Sequence, residues 1–489
     1  MSRRKTGAST DEHSAEEGLL PEIISKLSAR NSPGAGAIEK SFETSKARFL
    51  REWMEILRFP SVSADRDREK DCFDCARWLA SHLRGIGFKS RLLATPSKPV
   101  VYAERKGVVG LPVVLFYAHY DVQPVDPVQE WKTPPFEPAL RQGRVYARGA
   151  QDCKGQLMYA INAMETLIRQ GAPIPTIKII VEGEEENGSR GIAAILNRYR
   201  DLIKADVLMV TDIDAVSSGA PTIVMGLRGV FSLTVELSGP SHDLHSGTHG
   251  GVAPNPAMEM ARLIATLHNP DGSIAVKGFY DGVGAPSSLE LALARKQQFN
   301  AKAYEAVTGV PPLAGELRFA PPERLGFRPT IEVNGVHSGY GGEGSKTIIP
   351  AKAVAKLSSR IVSGQEPDRC LKLIEEHLKK HAPRGLCLSI TEKGGGGPAV
   401  RLNPDSLLLT KARGVLDRLG GGKTVFMWEG ASIPIVSALA GVSGAEPLLI
   451  GFGNDRDRIH APNESFSLEQ FRRGYLYVAL MLLKLAESR

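Results

Sequence analysis

Four short runs in this chain are apolar almost throughout rather than at every second position: PVVLFY (Pro112–Tyr117), TIKIIVEG (Thr176–Gly183), ADVLMVTD (Ala205–Asp212) and EPLLIGFG (Glu446–Gly453). A strand with one face in water alternates apolar and polar residues. A strand covered on both faces does not, and such strands belong to α/β sheets with helices on either side. Helical signals supply the covering. Leu157, Ile161, Met164 and Ile168 recur at helical spacing between the first two runs, and Gly171 stands where a C-terminal cap glycine belongs. Phe49, Trp53, Ile56 and Leu57 form a second apolar stripe over Lys46–Phe59.

The middle of the chain changes character. Gly229–Pro240 and Ala351–Gly364 alternate, with Ala355, Leu357, Ser359 and Ile361 on one side and Lys356, Ser358 and Arg360 on the other. Helical stretches at Asn255–His268 and Cys370–Lys380 accompany them. The expected organisation is a polar extension over 1–44, an α/β mixed-sheet domain over 45–229 and 398–489, and an inserted α+β domain over 230–397. The glycine run of EKGGGGP (Glu392–Pro398) reads as the linker returning to the first domain. At 489 residues the chain exceeds what one core supports.

Charge and cysteines exclude several classes. The formal charge of +7 is scattered, without an aromatic-interleaved basic stripe, so no nucleic-acid partner is expected. No apolar stretch spans a bilayer and the polar start lacks a secretory apolar region, so no membrane partner and a cytoplasmic location are expected. Five cysteines are an odd, sparse set that suits a reducing compartment. Cys72 and Cys75 lie on a helical face with Ala76 and Leu83 and read as structural. LGGGKT (Leu419–Thr424) ends like a phosphate-binding loop, but the first glycine of that motif falls on Asp417, and a nucleotide site is rejected.

Chemistry collects where the apolar runs stop. The first ends in His119 and Asp121, which point the same way along an extended segment. Asp152 precedes the helical stretch, Glu184, Glu185 and Glu186 follow the second run, Asp212 and Asp214 end the third, and His460 follows the last. Active sites of open α/β sheets lie beyond the C-terminal strand ends. So many carboxylates on one rim repel each other unless cations offset them, which points to a metal site.

The motifs HYDVQP, RGAQDCKG, EGEEENGS, DLHSG, KTIIP and IHAPNE occur in that order. In them the chain resembles the dinuclear metallopeptidase family of carnosinase-type dipeptidases, aminoacylase, glutamate carboxypeptidase and succinyl-diaminopimelate desuccinylase, nearest to the carnosinase-like branch. The resemblance runs from about Phe49 to the C-terminus. It implies a phosphorylase/hydrolase-like catalytic domain with an inserted lid and dimerisation domain. It also implies two divalent metals per subunit, zinc first, with manganese or cobalt compatible. Asp152 would bridge them; His119 and Asp212 would complete one, Glu186 and His460 the other. Asp121 would orient His119, and Glu185 would be the general base toward a water held between the metals. Glu184 competes with Glu185 for that role, and Asp214 with Asp212. A cis peptide bond between Asp152 and Cys153 is implied as well.

The same resemblance gives His245 an oxyanion-stabilising role in the site of a partner subunit, and hence a homodimer through the inserted domain. His242 and His249 are left as surface or packing residues. Thr347, Arg360 and Ser432 match substrate-contacting positions, and a guanidinium at Arg360 suits a terminal carboxylate. The implied activity is cleavage of an amide bond in a dipeptide or short peptide. N-acyl-amino-acid deacylation by the same site is the alternative, and a catalytically silent binding protein is a third reading. Trp428 and Ala431 in WEGASIP, and the glycine where relatives carry a histidine before Gly-Gly, depart from the family. They are expected to shift the pocket toward a less polar side chain.

Overall fold

The computed structural model describes residues 34–216, 219–297, 299–420 and 422–487. They form two compact units: residues up to 221 with 407–424 and 442–489 in the first, and 222–406 with 425–441 in the second. The expected polar extension therefore lies largely outside the described residues, but its last part does not fit that expectation. Helix α1 runs Ala35–Ile56, because Ile38 and Phe42 extend the stripe of Phe49, Trp53 and Ile56 and are buried with it. The Phe42 ring lies 5.1 Å from Tyr475, and Trp53 stacks on Phe471 at 4.8 Å, both on the C-terminal helix Leu468–Ala486. Burying such side chains contributes about 1.5–3 kcal/mol each, enough to make residues 35–44 part of the fold.

In the first unit, α2 (Glu69–Gly85) precedes β1 (Lys89–Leu93), β2 (Val100–Arg105) and β3 (Val113–His119). Helix α3 (Lys154–Arg169), β4 (Thr176–Glu182) and β5 (Val207–Val210) follow. Their order across the sheet is β1-β2-β4-β3-β5, with Glu446–Leu449 beyond β5. β4, β3, β5 and Glu446–Leu449 are mutually parallel. All four apolar runs are thus strands that end on one edge, and past their first residues they are buried, as their lack of alternation requires. Gly171 closes the last turn of α3 at φ 63°, in the left-handed region. Cys72 and Cys75 are buried on α2.

In the second unit, a four-stranded antiparallel sheet consists of β6 (Gly229–Ser238), β7 (Thr330–Ser338), β8 (Lys352–Ile361) and β9 (Cys387–Gly397), in the order β7-β8-β6-β9. Phe231, Leu233, Val235 and Leu237 of β6 and Ala353, Ala355, Leu357 and Ile361 of β8 share its inner face. Met260 and Leu263 of α4 (Pro256–Ala265) and Ile374 and Leu378 of α5 (Pro367–Lys380) pack onto that face. Asn255 caps α4 by accepting from the Ala257 and Met258 N–H groups.

Three boundaries differ from the sequence-based expectation. The glycine run is not a linker: Gly394 and Gly397 still pair with Ser232 and Val230, through irregularities where Gly394, Gly395 and Gly396 take positive φ. The second unit begins at Thr222 and extends to Ser406. It also includes 425–441, because Val425–Glu429 pairs in parallel with Thr222–Leu227. Ser432, expected in the catalytic domain, therefore belongs to the second unit. Among the described residues no helix is long and apolar enough to cross a membrane.

Candidate metal centre

Beyond the shared strand edge of the first unit, two groups of ligand-capable side chains gather: His119, Cys153 and Asp212, and Asp152, Glu186 and His460. Asp152 joins them. Its Oδ1 lies 3.1 Å from His119 Nε2, and its Oδ2 lies 2.9 Å from His460 Nε2. Asp212 Oδ2 is 3.2 Å from His119 Nε2, and Glu186 Oε2 is 3.4 Å from His460 Nε2. The five residues anticipated as ligands are thus brought together in two halves that share one carboxylate. Asp214 is turned aside, accepting from the Gln151 side chain at 3.0 Å. The cis bond between Asp152 and Cys153 is present.

Each carboxylate has a local reason for its place. Gly183 ends β4 where an added Cβ would meet the Tyr120 ring at 2.2 Å, so only glycine lets the chain turn there into the glutamate triplet. Glu184 is fixed away from the cluster, its Oε2 accepting from the Gly191 N–H at 2.9 Å. The backbone N–H groups of Glu185 and Glu186 donate to the two oxygens of Asp121, at 3.2 and 3.1 Å. Asp121 Oδ1 also lies 3.4 Å from His119 Nδ1, whose nearer neighbour is the Asp121 carbonyl at 3.1 Å. One buried carboxylate therefore ties the glutamate turn to the imidazole on β3.

The electrostatics suit a cation pair. Burial, followed by the Asp152 charge, pushes Glu186 up to about 7. Burial, with Asp212, Glu186 and Asp152 adding to it, holds Glu185 well above the usual carboxylate range. Asp152 is buried too, yet hydrogen bonds from His119 and His460 keep it low. His460 is raised to about 10 by its hydrogen bonds to Asp152 and Glu186. Acids crowded at this density share protons or share cations, and the nitrogen and oxygen donor set is one that zinc, manganese and cobalt accept.

The chain matches peptidase family M20/M25/M40 over residues 115–484. The chain belongs to that family. Cys-Gly metallodipeptidase dug1 of Schizosaccharomyces pombe is 28% identical over 90% of this chain and 96% of its own length. Beta-Ala-His dipeptidase of Mus musculus is 26% identical over 94% of this chain and 97% of its own. Among solved structures, the M20 metallo-carboxypeptidase Sso-CP2 from Sulfolobus solfataricus superposes with a TM-score of 0.81 at 30% identity, covering 90% of this chain and 99% of that one. Human carnosine dipeptidase 1 shares the fold, with a TM-score of 0.77 at 23% identity over 93% of this chain and 100% of that one. The chain is accordingly a peptidase with the mixed-sheet fold of that family.

The remaining anticipated residues lie in the second unit. Arg360 on β8 donates to the Ser432 hydroxyl at 2.6 Å, and Ser432 donates in turn to the Arg228 carbonyl. His245 is exposed, and its Nδ1 accepts from the Gly247 and Thr248 N–H groups at 3.1 and 3.2 Å, which leaves Nε2 as its donor nitrogen. The Thr347 carbonyl accepts from the Ser246 N–H at 3.0 Å, beside the two-residue pairing of His245 with Ile348. Trp428 does not project toward solvent: it is buried against Phe327 with ring centroids 5.1 Å apart.

Apart from Asp121, sequence reasoning missed residues that hold the anticipated ligands. Gln123 donates to Glu186 Oε2 at 2.7 Å. Glu464 Oε2 accepts from Arg148 at 2.7 Å and the Gly149 N–H at 2.9 Å, while its Oε1 accepts from the N–H groups of Gln151 and Asp152 at 3.0 and 3.2 Å. It thereby fixes the loop that aims Asp152. Both lie four residues after an anticipated ligand histidine, inside the motifs HYDVQP and IHAPNE. Glu464→Gln should weaken metal binding about 10–100-fold, as loss of a ligand-orienting partner does, and lower thermal stability because Arg148 is left buried without its ion pair. Chelator competition and thermal melts read both; unchanged metal affinity contradicts the assignment.

Proposed function

We propose that the protein is a two-metal dipeptidase that releases an amino acid from a dipeptide or short peptide. The observation that carries this is the placement of Asp152, with one carboxylate oxygen toward each histidine. His119 and Asp212 would hold one divalent cation, Glu186 and His460 the other, and Asp152 both. When bound, such a pair lowers the pKa of water and polarises the scissile carbonyl. Glu185 takes the proton from the attacking water and delivers it to the leaving amine. Asp121 keeps Glu185 and His119 in register. Arg360, steadied by Ser432, binds the substrate's terminal carboxylate; Thr347, beside His245 and at the far end of β8 from Arg360, would contact substrate in the site that His245 serves. Zinc is the expected metal, with manganese or cobalt as substitutes. Cytoplasmic residence is part of this reading, supported by the odd, sparse cysteine set.

The relatives' names favour dipeptides over N-acyl amino acids. Parallel rates on a dipeptide panel and an N-acyl-amino-acid panel test the choice: dipeptides should be turned over faster, and a reversed preference would overturn it.

Assembly follows from His245. Its Nε2–H is a donor of the kind an oxyanion needs, and we assign it to the site of the partner in a homodimer. His245→Ala and Glu185→Ala subunits should each be nearly inactive alone. Co-expressed, random pairing gives one competent site in each heterodimer, about a quarter of the wild-type sites overall. Heterodimers without recovered activity contradict the borrowed histidine, as does a monomeric active enzyme.

A further inference from the structure

Cys153 distinguishes this centre. Three of the other cysteines, Cys72, Cys75 and Cys370, are buried on helices α2 and α5, away from the anticipated ligands. Cys153 is fully buried as well, but its neighbours are ligands. Its Sγ, a nitrogen of His119 and an oxygen of Asp212 all lie within 4.8 Å of one another. A zinc-sized ion sits about 2.0–2.3 Å from nitrogen, oxygen and sulfur donors, so tetrahedral donors around one ion are about 3.3–3.8 Å apart. Side-chain adjustments of up to about an ångström would close this set. Asp152 Oδ1, 3.1 Å from His119 Nε2, supplies a fourth donor.

We infer that Cys153 is a sulfur ligand in the His119–Asp212 half of the centre, which makes that half select thiophilic divalent cations over manganese. The inference rests on the two-metal reading above. Thiolate is the ligating form: on binding, the S–H bond gives its proton to solvent and the sulfur bonds the cation. Soft sulfur favours zinc, cadmium and cobalt, whereas manganese prefers oxygen. The two halves then differ in kind. One has nitrogen, sulfur and two carboxylates in a buried, four-donor shell. The other has Asp152, Glu186 and a His460 side chain 52% exposed, and it exchanges its ion more readily.

Cobalt(II) titration of the metal-depleted protein tests this by spectroscopy rather than activity. A sulfur-to-cobalt charge-transfer band should grow over the first equivalent, stay constant over the second, and be missing in Cys153→Ser and Cys153→Ala. In zinc–manganese competition read by metal analysis, the variants should lose about tenfold or more of the wild-type preference for zinc, the scale at which a ligand change alters affinity. If wild type binds two cobalt ions with no such band, the inference fails and the two-metal reading stands. A band that survives in a folded variant also overturns it. If wild type binds no cobalt, both fail. Absence of the wild-type band is decisive alone, so the inference stays falsifiable if one variant fails to fold.

Discussion

Glu185→Gln should lower turnover by about 10²–10⁴-fold, the usual worth of a general acid–base group, while the protein keeps both metal ions. The substitution is nearly isosteric. It leaves the Glu185 N–H bonded to Asp121, so the turn that carries Glu186 is undisturbed. It removes only the ability to accept and return a proton. No neighbour can take over, because Glu184 is anchored on the Gly191 N–H and Glu186 is engaged by Gln123 and His460. Steady-state rates with metal analysis on the same samples check it. Loss of one metal, or an equal fall in rate from Glu184→Gln, would show that the base is a different glutamate.

Asp152→Ala should have a still larger effect, because it acts on both halves of the centre together. Each oxygen of Asp152 faces one of the two histidines, so truncation removes a donor from both ions. It also leaves His119 and His460 beside Asp212 and Glu186 without the shared carboxylate. Activity should fall below detection, and metal content should drop toward zero in a protein whose circular dichroism is unchanged. His460→Ala should lose chiefly one ion, since Asp152, His119 and Asp212 still surround the other. An Asp152→Ala protein that keeps two tightly held ions would contradict a bridging role.

What could be read from the sequence follows from distance along the chain. The strands of the parallel sheet were legible because burial on both faces leaves unbroken apolar runs. Their ends were legible because acids and histidines have no reason to gather there without chemistry. Gly171 was legible as a cap because its signal is local. The start of α1 at Ala35 was not. Ile38 and Phe42 sit in a polar stretch, and Phe42 packs against Phe471 and Tyr475, more than 400 residues later. The glycine run of β9 reads locally as a breaker, yet pairing with β6 and backbone irregularities absorb it. Glu464 was seen as part of a motif, but its partners begin at Arg148, 316 residues away, and no local pattern announces them. Cys153 was placed beside Asp152, but its approach to Asp212 arises only when β5 and the Asp152 loop meet.

The central claim is that two cations in one carboxylate-bridged centre carry out the hydrolysis. The most direct measurement strips metal from the intact protein with a chelator, then titrates zinc back while following both bound zinc and dipeptide hydrolysis. The account predicts no hydrolysis in the stripped protein, and binding that saturates at two equivalents per chain, with full activity reached only as the second site fills. Hydrolysis that survives complete metal removal, or saturation of binding at a single equivalent, would contradict it.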